Sequence, residues 1–112
     1  GTVLGLGKGT YTDRYRPGRR LADLTRATWQ HCSWPGCRNR AHRPGQCDLD
    51  HNDPWPAGAT CSCNLSPLCR RHHRLKTHLG IVLEPSTDPG DPPGTLRWHL
   101  PSGRTYPSRP DP

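Results

Sequence analysis

Apolar positions in this chain are few and fall into short, separate stretches. In LADLTRATWQ, residues 21–30, Leu21, Leu24 and Thr28 recur at helical spacing and predict a short helix. Cys47-Asp-Leu-Asp-His51 alternates polar and apolar residues, the period of a half-buried strand. Pro54, Pro56 and Gly58 then predict a broad loop, and 60–64 an antiparallel return strand. Ser66-Pro67 has the features of a helix start, since serine can cap free amides and proline is tolerated at the first helical position. From there Leu68, His72, Leu75 and Leu79 fall at i, i+4, i+7 and i+11, an inward stripe closed by Gly80. Beyond it, 81–84 reads as a strand and 86–94 as a Pro/Gly/Asp loop. Leu96–Leu100 and Arg104–Tyr106 form a predicted hairpin around Pro101-Ser-Gly103. Residues 1–20, GTVLGLGKGTYTDRYRPGRR, show no sustained period and are expected to be an irregular basic arm with at most one short strand. Residues 107–112 are expected to be a disordered tail.

A chain of 112 residues is one domain, able to bury roughly two-thirds of its unfolded surface. Only 29% of it is hydrophobic, Phe and Met are absent, and 14 prolines and 12 glycines favour loops, so the core needs a staple. Six cysteines and seven histidines supply one. Cys32-Ser-Trp-Pro-Gly-Cys37 is a tight turn in which Pro35 and Gly36 reverse the chain and let two sulfurs face one centre. Cys69 and His72, three apart on the predicted helix, share a face and can complete the set. Cys32, Cys37, Cys69 and His72 therefore predict a structural Zn²⁺ of Cys3His type, contributing about 10–16 kcal/mol of binding free energy to folding. A disulfide framework of the kind found in secreted mini-proteins is the competing use of the thiols. Cys47, Cys61 and Cys63 stand outside the zinc set: buried free thiols (the expectation for an intracellular protein), a disulfide, or part of a second metal centre.

His72 and His73 lie about 100° apart around a helix, so they serve different centres. Asp50 and His51 are adjacent, Asn64 follows thirteen residues after His51, and His73 nine residues after Asn64. This pattern, with Cys-x2-His abutting its last histidine and Cys-x4-Cys upstream, resembles the HNH (ββα-metal) endonucleases. It is most similar to their zinc-containing branch, which often forms the C-terminal domain of larger actinobacterial proteins. The likeness spans about Leu21–Tyr106, with its specific motifs in Cys32–Lys76. It implies an α+β domain over 21–106, with a ββα-metal core, a structural zinc site, a short preceding helix and a C-terminal β-hairpin. It also implies a metal-dependent DNA endonuclease in which Asp50 and His73 hold one divalent cation, Mg²⁺ or Mn²⁺, an imidazole ligand also accepting Ni²⁺ or Zn²⁺. Asn64 is implied to bond the backbone of the general-base loop and so orient His51, and Trp55 to cap the core beneath that loop.

A neutral imidazole near pH 7 suits the general base, which makes His51 the candidate to deprotonate water. Neighbours on a strand point to opposite faces, so for Asp50 and His51 to serve one cleft a break at the strand end is expected. Lys76, one turn beyond His73, with Arg74 and Arg40, are candidate phosphate contacts. The excess of 16 Lys and Arg over 9 Asp and Glu points to a polyanionic partner, here double-stranded DNA bound mainly through phosphates with little base preference. Arg14, Arg16, Arg19 and Arg20 would let the N-terminal arm add to those contacts. No apolar run is long enough to span a membrane and no signal peptide is visible, which places the expected location in a bacterial cytoplasm; a start at Gly1 reads as a fragment or processed piece. Two further classes are a catalytically inactive, zinc-stabilised nucleic-acid-binding module and a disulfide-stapled secreted protein.

Overall fold

The computed structural model describes residues 10–43 and 45–110. Its elements run β1 (Tyr11–Thr12), α1 (Arg19–Trp29), β2 (Cys47–His51), β3 (Thr60–Cys61), β4 (Leu65–Cys69), α2 (Arg70–Leu79), β5 (Val82–Pro85), β6 (Leu96–His99) and β7 (Thr105–Ser108). Among the described residues the strands form three antiparallel sheets, β1–β3, β2–β4 and β5–β6–β7, making this an α+β protein.

The β2–β4 pair, running directly into α2, is the centre of the molecule. Its register sets Cys47 opposite Cys69, Asp50 opposite Ser66 and His51 opposite Leu65. The sequence reading put the return strand at 60–64 and began the helix at Ser66-Pro67; both are corrected. Residues 60–61 pair instead with β1, Leu65–Cys69 is the return strand, and the helix starts after Cys69. Every residue of β4 is buried, so it carries none of the alternation that marks a half-buried strand. Pro67 is tolerated because of the register. The Asn52 amide donates to the Asn64 carbonyl. By the antiparallel alternation, Leu49–Pro67 is then a non-hydrogen-bonded pair, and the missing amide leaves no gap in the ladder.

The predicted helix stripe shifts accordingly. Leu68 lies on the strand and Leu79 is exposed, while the residue α2 buries is Lys76. Gly80 does end the helix, at φ +67°, with its amide bonded to the carbonyls of Lys76 and Thr77. In α1 the buried stripe is Leu21, Thr25 and Trp29, not Leu21, Leu24 and Thr28. An i, i+4, i+8 row lets Trp29 reach the core, and Leu24 is left half exposed. Arg26 ties this helix to β2 by donating to the carbonyls of Ala41 (2.7 Å) and Cys47 (3.0 Å).

The core gathers Trp29, Leu68, Ile81, Leu83, Leu96 and Trp98 around Cys32, Cys47 and Cys69. The cysteines of the turn are thus part of the core. A buried polar chain, Ser33 Oγ to Ser66 Oγ to Asn52 Oδ1 (3.0 and 2.8 Å), pins that turn onto β4, as does the Ser33 amide on the Pro67 carbonyl. The predicted C-terminal hairpin forms as β6–β7, with β5 alongside, and Trp98 Nε1 donates to Ser108 Oγ at 2.7 Å. Pro107 and Ser108, expected in a disordered tail, belong to β7 because the strand continues as far as Leu96 allows it to pair. Residues 111–112 of that tail and 1–9 of the basic arm lie outside the described residues. The rest of the arm contains the one short strand allowed for it and departs from the expectation only at its end. Tyr11 and Thr12 pair with β3, and Arg19 and Arg20 already belong to α1.

Candidate functional site

Four donors converge where the Cys32 turn meets the start of α2. Cys32, Cys37, Cys69 and His72 present ligand atoms that all lie within 4.8 Å of one another. The Cys32 and Cys69 sulfurs stand 3.6 and 3.2 Å from His72 Nδ1. Zinc bonds of 2.0–2.3 Å in tetrahedral geometry require sulfur–nitrogen separations of about 3.5 Å, so the cluster fits the ion. It could hold a metal ion such as zinc.

Local structure explains the convergence. Gly36, at φ +84°, closes the turn that brings Cys37 back beside Cys32, with the Cys37 amide on the Trp34 carbonyl. The Cys69 amide donates to the Cys32 sulfur at 3.4 Å. Trp34 stacks on the His72 ring at 4.4 Å and 10°, and meets Trp98 edge-on at 5.4 Å, so the imidazole is held by the core itself. Burial drives the Cys32 thiol pKa up, despite amides of Cys69 and Trp34 that favour its thiolate. At Cys69 burial also acts upward, but hydrogen bonds from the His72 backbone, the Asn39 side chain and the neighbouring thiols outweigh it and the pKa falls. Buried thiols drawn together at the cost of desolvation are what a metal ion relieves.

The other cysteines divide. Cys61 and Cys63 are joined in a disulfide, where free thiols were the expectation. The turn that returns the chain from Cys61 to Asn64 brings them together, the Asn64 amide bonding the Cys61 carbonyl. Cys47 is a buried free thiol facing the Arg40 carbonyl at 3.8 Å, its pKa pushed up to about 11 chiefly by burial and then by the nearby Cys69.

A second constellation lies on another face of α2, reached by His73. His73 Nε2 faces Asp50 Oδ1 at 3.4 Å, and His73 Nδ1 faces Asp48 Oδ2 at 3.1 Å. Asp48 and Asp50 are two apart on β2 and so share a face, which is how one imidazole can meet both. His72 and His73 thus serve different centres, as their angular separation predicts. The gap between Asp50 Oδ1 and His73 Nε2 is close to the about 3 Å spanned by neighbouring ligands of an octahedral cation. Asp48, absent from the predicted site, would then bond the far nitrogen of a ligating histidine and fix its tautomer. Its alternation with Asp50 was visible in the sequence, but its closeness to His73 depends on the register of β2 on α2.

His51 is buried, and no break in β2 is needed for it to share a cleft with Asp50. Together with Tyr15, Trp55 and Lys76 they line one cavity of about 400 Å³. His51 Nε2 lies 2.8 Å from Thr60 Oγ1, and the Thr60 hydroxyl donates to the Tyr15 carbonyl at 3.2 Å. Since that hydroxyl has one proton and spends it on Tyr15, His51 Nε2 must be the protonated nitrogen, leaving Nδ1 as the free lone pair. Burial lowers the His51 pKa, with Lys76 assisting and Asp50 opposing. Burial therefore favours the neutral imidazole over the charged one. Thr60, which the sequence reading placed only in a strand, is the group on the His51 ring.

Asn64 does not touch that ring. Its Oδ1 accepts from the Asp53 amide (2.9 Å) and its Nδ2 donates to the carbonyls of Asp53 (2.9 Å) and Ala59 (2.8 Å), holding the 53–59 loop shut. Gly58 makes this possible, because a Cβ there would meet the Asp53 oxygen at 2.0 Å and Asn64 Nδ2 at 2.6 Å. Trp55 on this loop does not cap the core. It is 41% exposed and meets Tyr15 edge-on at 5.6 Å.

Lys76, expected at a phosphate, is buried and spends its ammonium on the Asp50 carboxylate and the His51 carbonyl (3.0 Å). A buried ammonium needs such partners, and Asp50 is the carboxylate its position on α2 reaches. Arg40 and Arg74 are exposed and lie outside the residues lining the cleft.

The class these observations define is an α+β protein with a Cys/His cluster able to hold a metal ion. Among known proteins the chain is similar to the uncharacterized protein Rv3776 of Mycobacterium tuberculosis, 41% identical over 98 residues, which cover 87% of this chain and 17% of that protein. It is equally similar to the uncharacterized protein Rv2100 of the same species, 41% over 96 residues, 86% of this chain and 16% of that one. The chain therefore spans about a sixth of the length of the curated relatives it matches. No family model matches it, and no solved structure does. Among the described residues no helix is long and apolar enough to cross a membrane.

Proposed function

We propose that this domain is a metal-dependent DNA endonuclease of the HNH (ββα-metal) type, stapled by a structural zinc. One observation carries the reading. The β2–β4 pair followed by α2 sets Asp50 and His51 on one cleft, and Asp50 Oδ1 also meets His73 Nε2 at 3.4 Å. A structural zinc site alone gives no reason for a second His–carboxylate group there, nor for a buried histidine held through Nε2 beside it.

In the proposed reaction His51 Nδ1 takes a proton from the water that attacks phosphorus. The proton on Nε2 stays fixed by the Thr60 hydroxyl, so the ring cannot turn its other nitrogen to the water. Asp50 and His73 are the pair that would hold Mg²⁺ or Mn²⁺, which when bound supplies Lewis-acid stabilisation of the phosphoryl and leaving oxygens. Asp48 orients His73, and Asn64 keeps the loop from opening over His51. Lys76 holds the Asp50 carboxylate in place.

A second reading draws on the Lys76–Asp50 ion pair, which already occupies one oxygen of the proposed ligand. If that pair persists, the domain is a catalytically inactive, zinc-stabilised module that binds nucleic acid. Plasmid cleavage in Mg²⁺, Mn²⁺ or chelator, with His51→Ala alongside, separates the two: the nuclease cuts only with metal and only with His51, whereas the module retains DNA at low salt and never cuts it.

A further inference from the structure

The cleft has one wall that hydrolysis does not explain. Tyr15 and Trp55 remain 58% and 41% exposed, although both line the cavity beside His51. The Tyr15 ring lies 5.2 Å from that of His51, tilted by 32°, and the Trp55 ring stands edge-on to Tyr15 at 82°. Trp55 is not exposed through slackness, because its loop is held by three hydrogen bonds with Asn64, two donated by its Nδ2 and one accepted by its Oδ1. Two aromatic faces are thus displayed, in fixed positions, next to the proposed general base.

The segment that carries Tyr15 is equally particular. Arg14 and Arg16 flank it, and with Arg19 and Arg20 they line a separate concavity of about 680 Å³. Tyr15 turns to the His51 cleft while its neighbours turn to this groove. Arg14, Arg16 and Arg20 have no ion-pair partner among the described residues, and Arg19 has only a 4.0 Å contact with Asp23.

Resting on the nuclease reading above, we propose that this site takes an unpaired nucleic-acid strand, with a base stacked on the Tyr15–Trp55 wall and adjacent phosphates in the arginine groove. Bases inside a duplex have both faces covered by their neighbours and cannot use such a wall. Bases in single strands, gaps, flaps or frayed ends can, and stacking on aromatic side chains is indifferent to sequence. The arginines track the backbone and make binding salt-dependent. The substrate class is therefore single-stranded or locally opened DNA, not intact duplex.

The test is fluorescence anisotropy with a labelled twelve-residue oligothymidylate and a hairpin duplex of matching length, using zinc-loaded protein without added Mg²⁺ so that nothing is cut. The single strand is expected to bind at least ~10-fold more tightly and to quench tryptophan fluorescence. Trp55→Ala and Tyr15→Ala should each weaken single-strand binding by roughly 5- to 150-fold, leave duplex binding unchanged, and in the Trp55 case abolish the quenching. Trp55→Phe, which keeps an aromatic face, should retain most of the affinity and controls for folding. Arg14→Ala and Arg16→Ala should weaken both ligands and each lower the salt slope by about one. Equal affinity for the two ligands, or single-strand binding indifferent to Trp55→Ala in a folded variant, overturns the proposal. If that happens while plasmid cleavage still requires His51, the stacking inference fails alone. If the stacking signature appears and nothing is ever cut, the nuclease reading fails and this site stands as a binding site.

Discussion

Removing the metal from the cysteine cluster should unfold the protein. Cys32 and Cys69 are almost fully buried, and the cluster is enclosed by Trp29, Leu68, Ile81 and Trp98, so those side chains pack against the site itself. A domain of this length has a net stability of about 6–17 kcal/mol at typical values per residue. A structural zinc contributes about 10–16 kcal/mol, which is the same size. Without the ion, two buried thiols and a half-buried thiol and imidazole are left without the partner that joins them, and little or no stability remains. Titration with a high-affinity zinc chelator, followed by far-UV circular dichroism and tryptophan fluorescence, reads this directly because Trp34 lies on the His72 ring. One zinc per chain by elemental analysis and a cooperative loss of structure on chelation, reversed by added zinc, are expected. Cys37→Ser should behave as the chelated protein does. A chelated protein that keeps its melting temperature to within a few degrees would refute the reasoning, since the remaining core would then suffice alone.

Other predictions concern the His73 face of α2 and the cleft beside it. Asp48→Asn should weaken Mn²⁺ binding about 10- to 100-fold by calorimetry, with zinc content unchanged, because the bond that orients His73 is lost; unaltered affinity would remove Asp48 from the site. Thr60→Val should lower cleavage by about 10- to 100-fold by releasing the His51 ring, while Thr60→Ser restores it. Equal activity of the two variants would show that the hydroxyl orients nothing. Gly58→Ala forces a Cβ into the Asp53 carbonyl and should destabilise the protein by about 3 kcal/mol, the upper end of overpacking, as measured by urea denaturation. An unchanged midpoint would mean that the loop is not held shut.

How far the sequence reveals this molecule depends on the range of each interaction. The Cys32–Cys37 turn is local, written in Pro35 and Gly36, and the spacing of three brings Cys69 to His72, though from the end of β4 that caps α2 and not from a shared helix face. Both are legible, and the four donors do converge. Ser66-Pro67 misleads because its residues suit a helix start as well as a buried strand, and only the pairing of Leu65–Cys69 with β2 decides. Leu24 misleads for a similar reason: which stripe of α1 is buried depends on what it packs against. Thr60 and Tyr15 carry no local signal, and Asp48 carries only its alternation with Asp50. They matter because β2 lies beside α2, and because the segment before α1 folds across to β3 and lays Tyr15 on His51. Lys76 shows the limit most sharply, since its spacing from His73 suggests a phosphate contact and its burial beside Asp50 makes it an internal partner.

The central claim is that His51 acts as base in a metal-dependent cleavage that the zinc supports only structurally. Purified protein and His51→Ala, each assayed for bound zinc and then incubated with single-stranded circular DNA and with supercoiled plasmid in Mg²⁺, Mn²⁺ or chelator, test it in one experiment. The account predicts equal zinc content and equal folding, with metal-dependent cutting by the native protein alone. Cutting that survives in His51→Ala, or its absence from a native protein that is folded, zinc-loaded and bound to DNA, would contradict it.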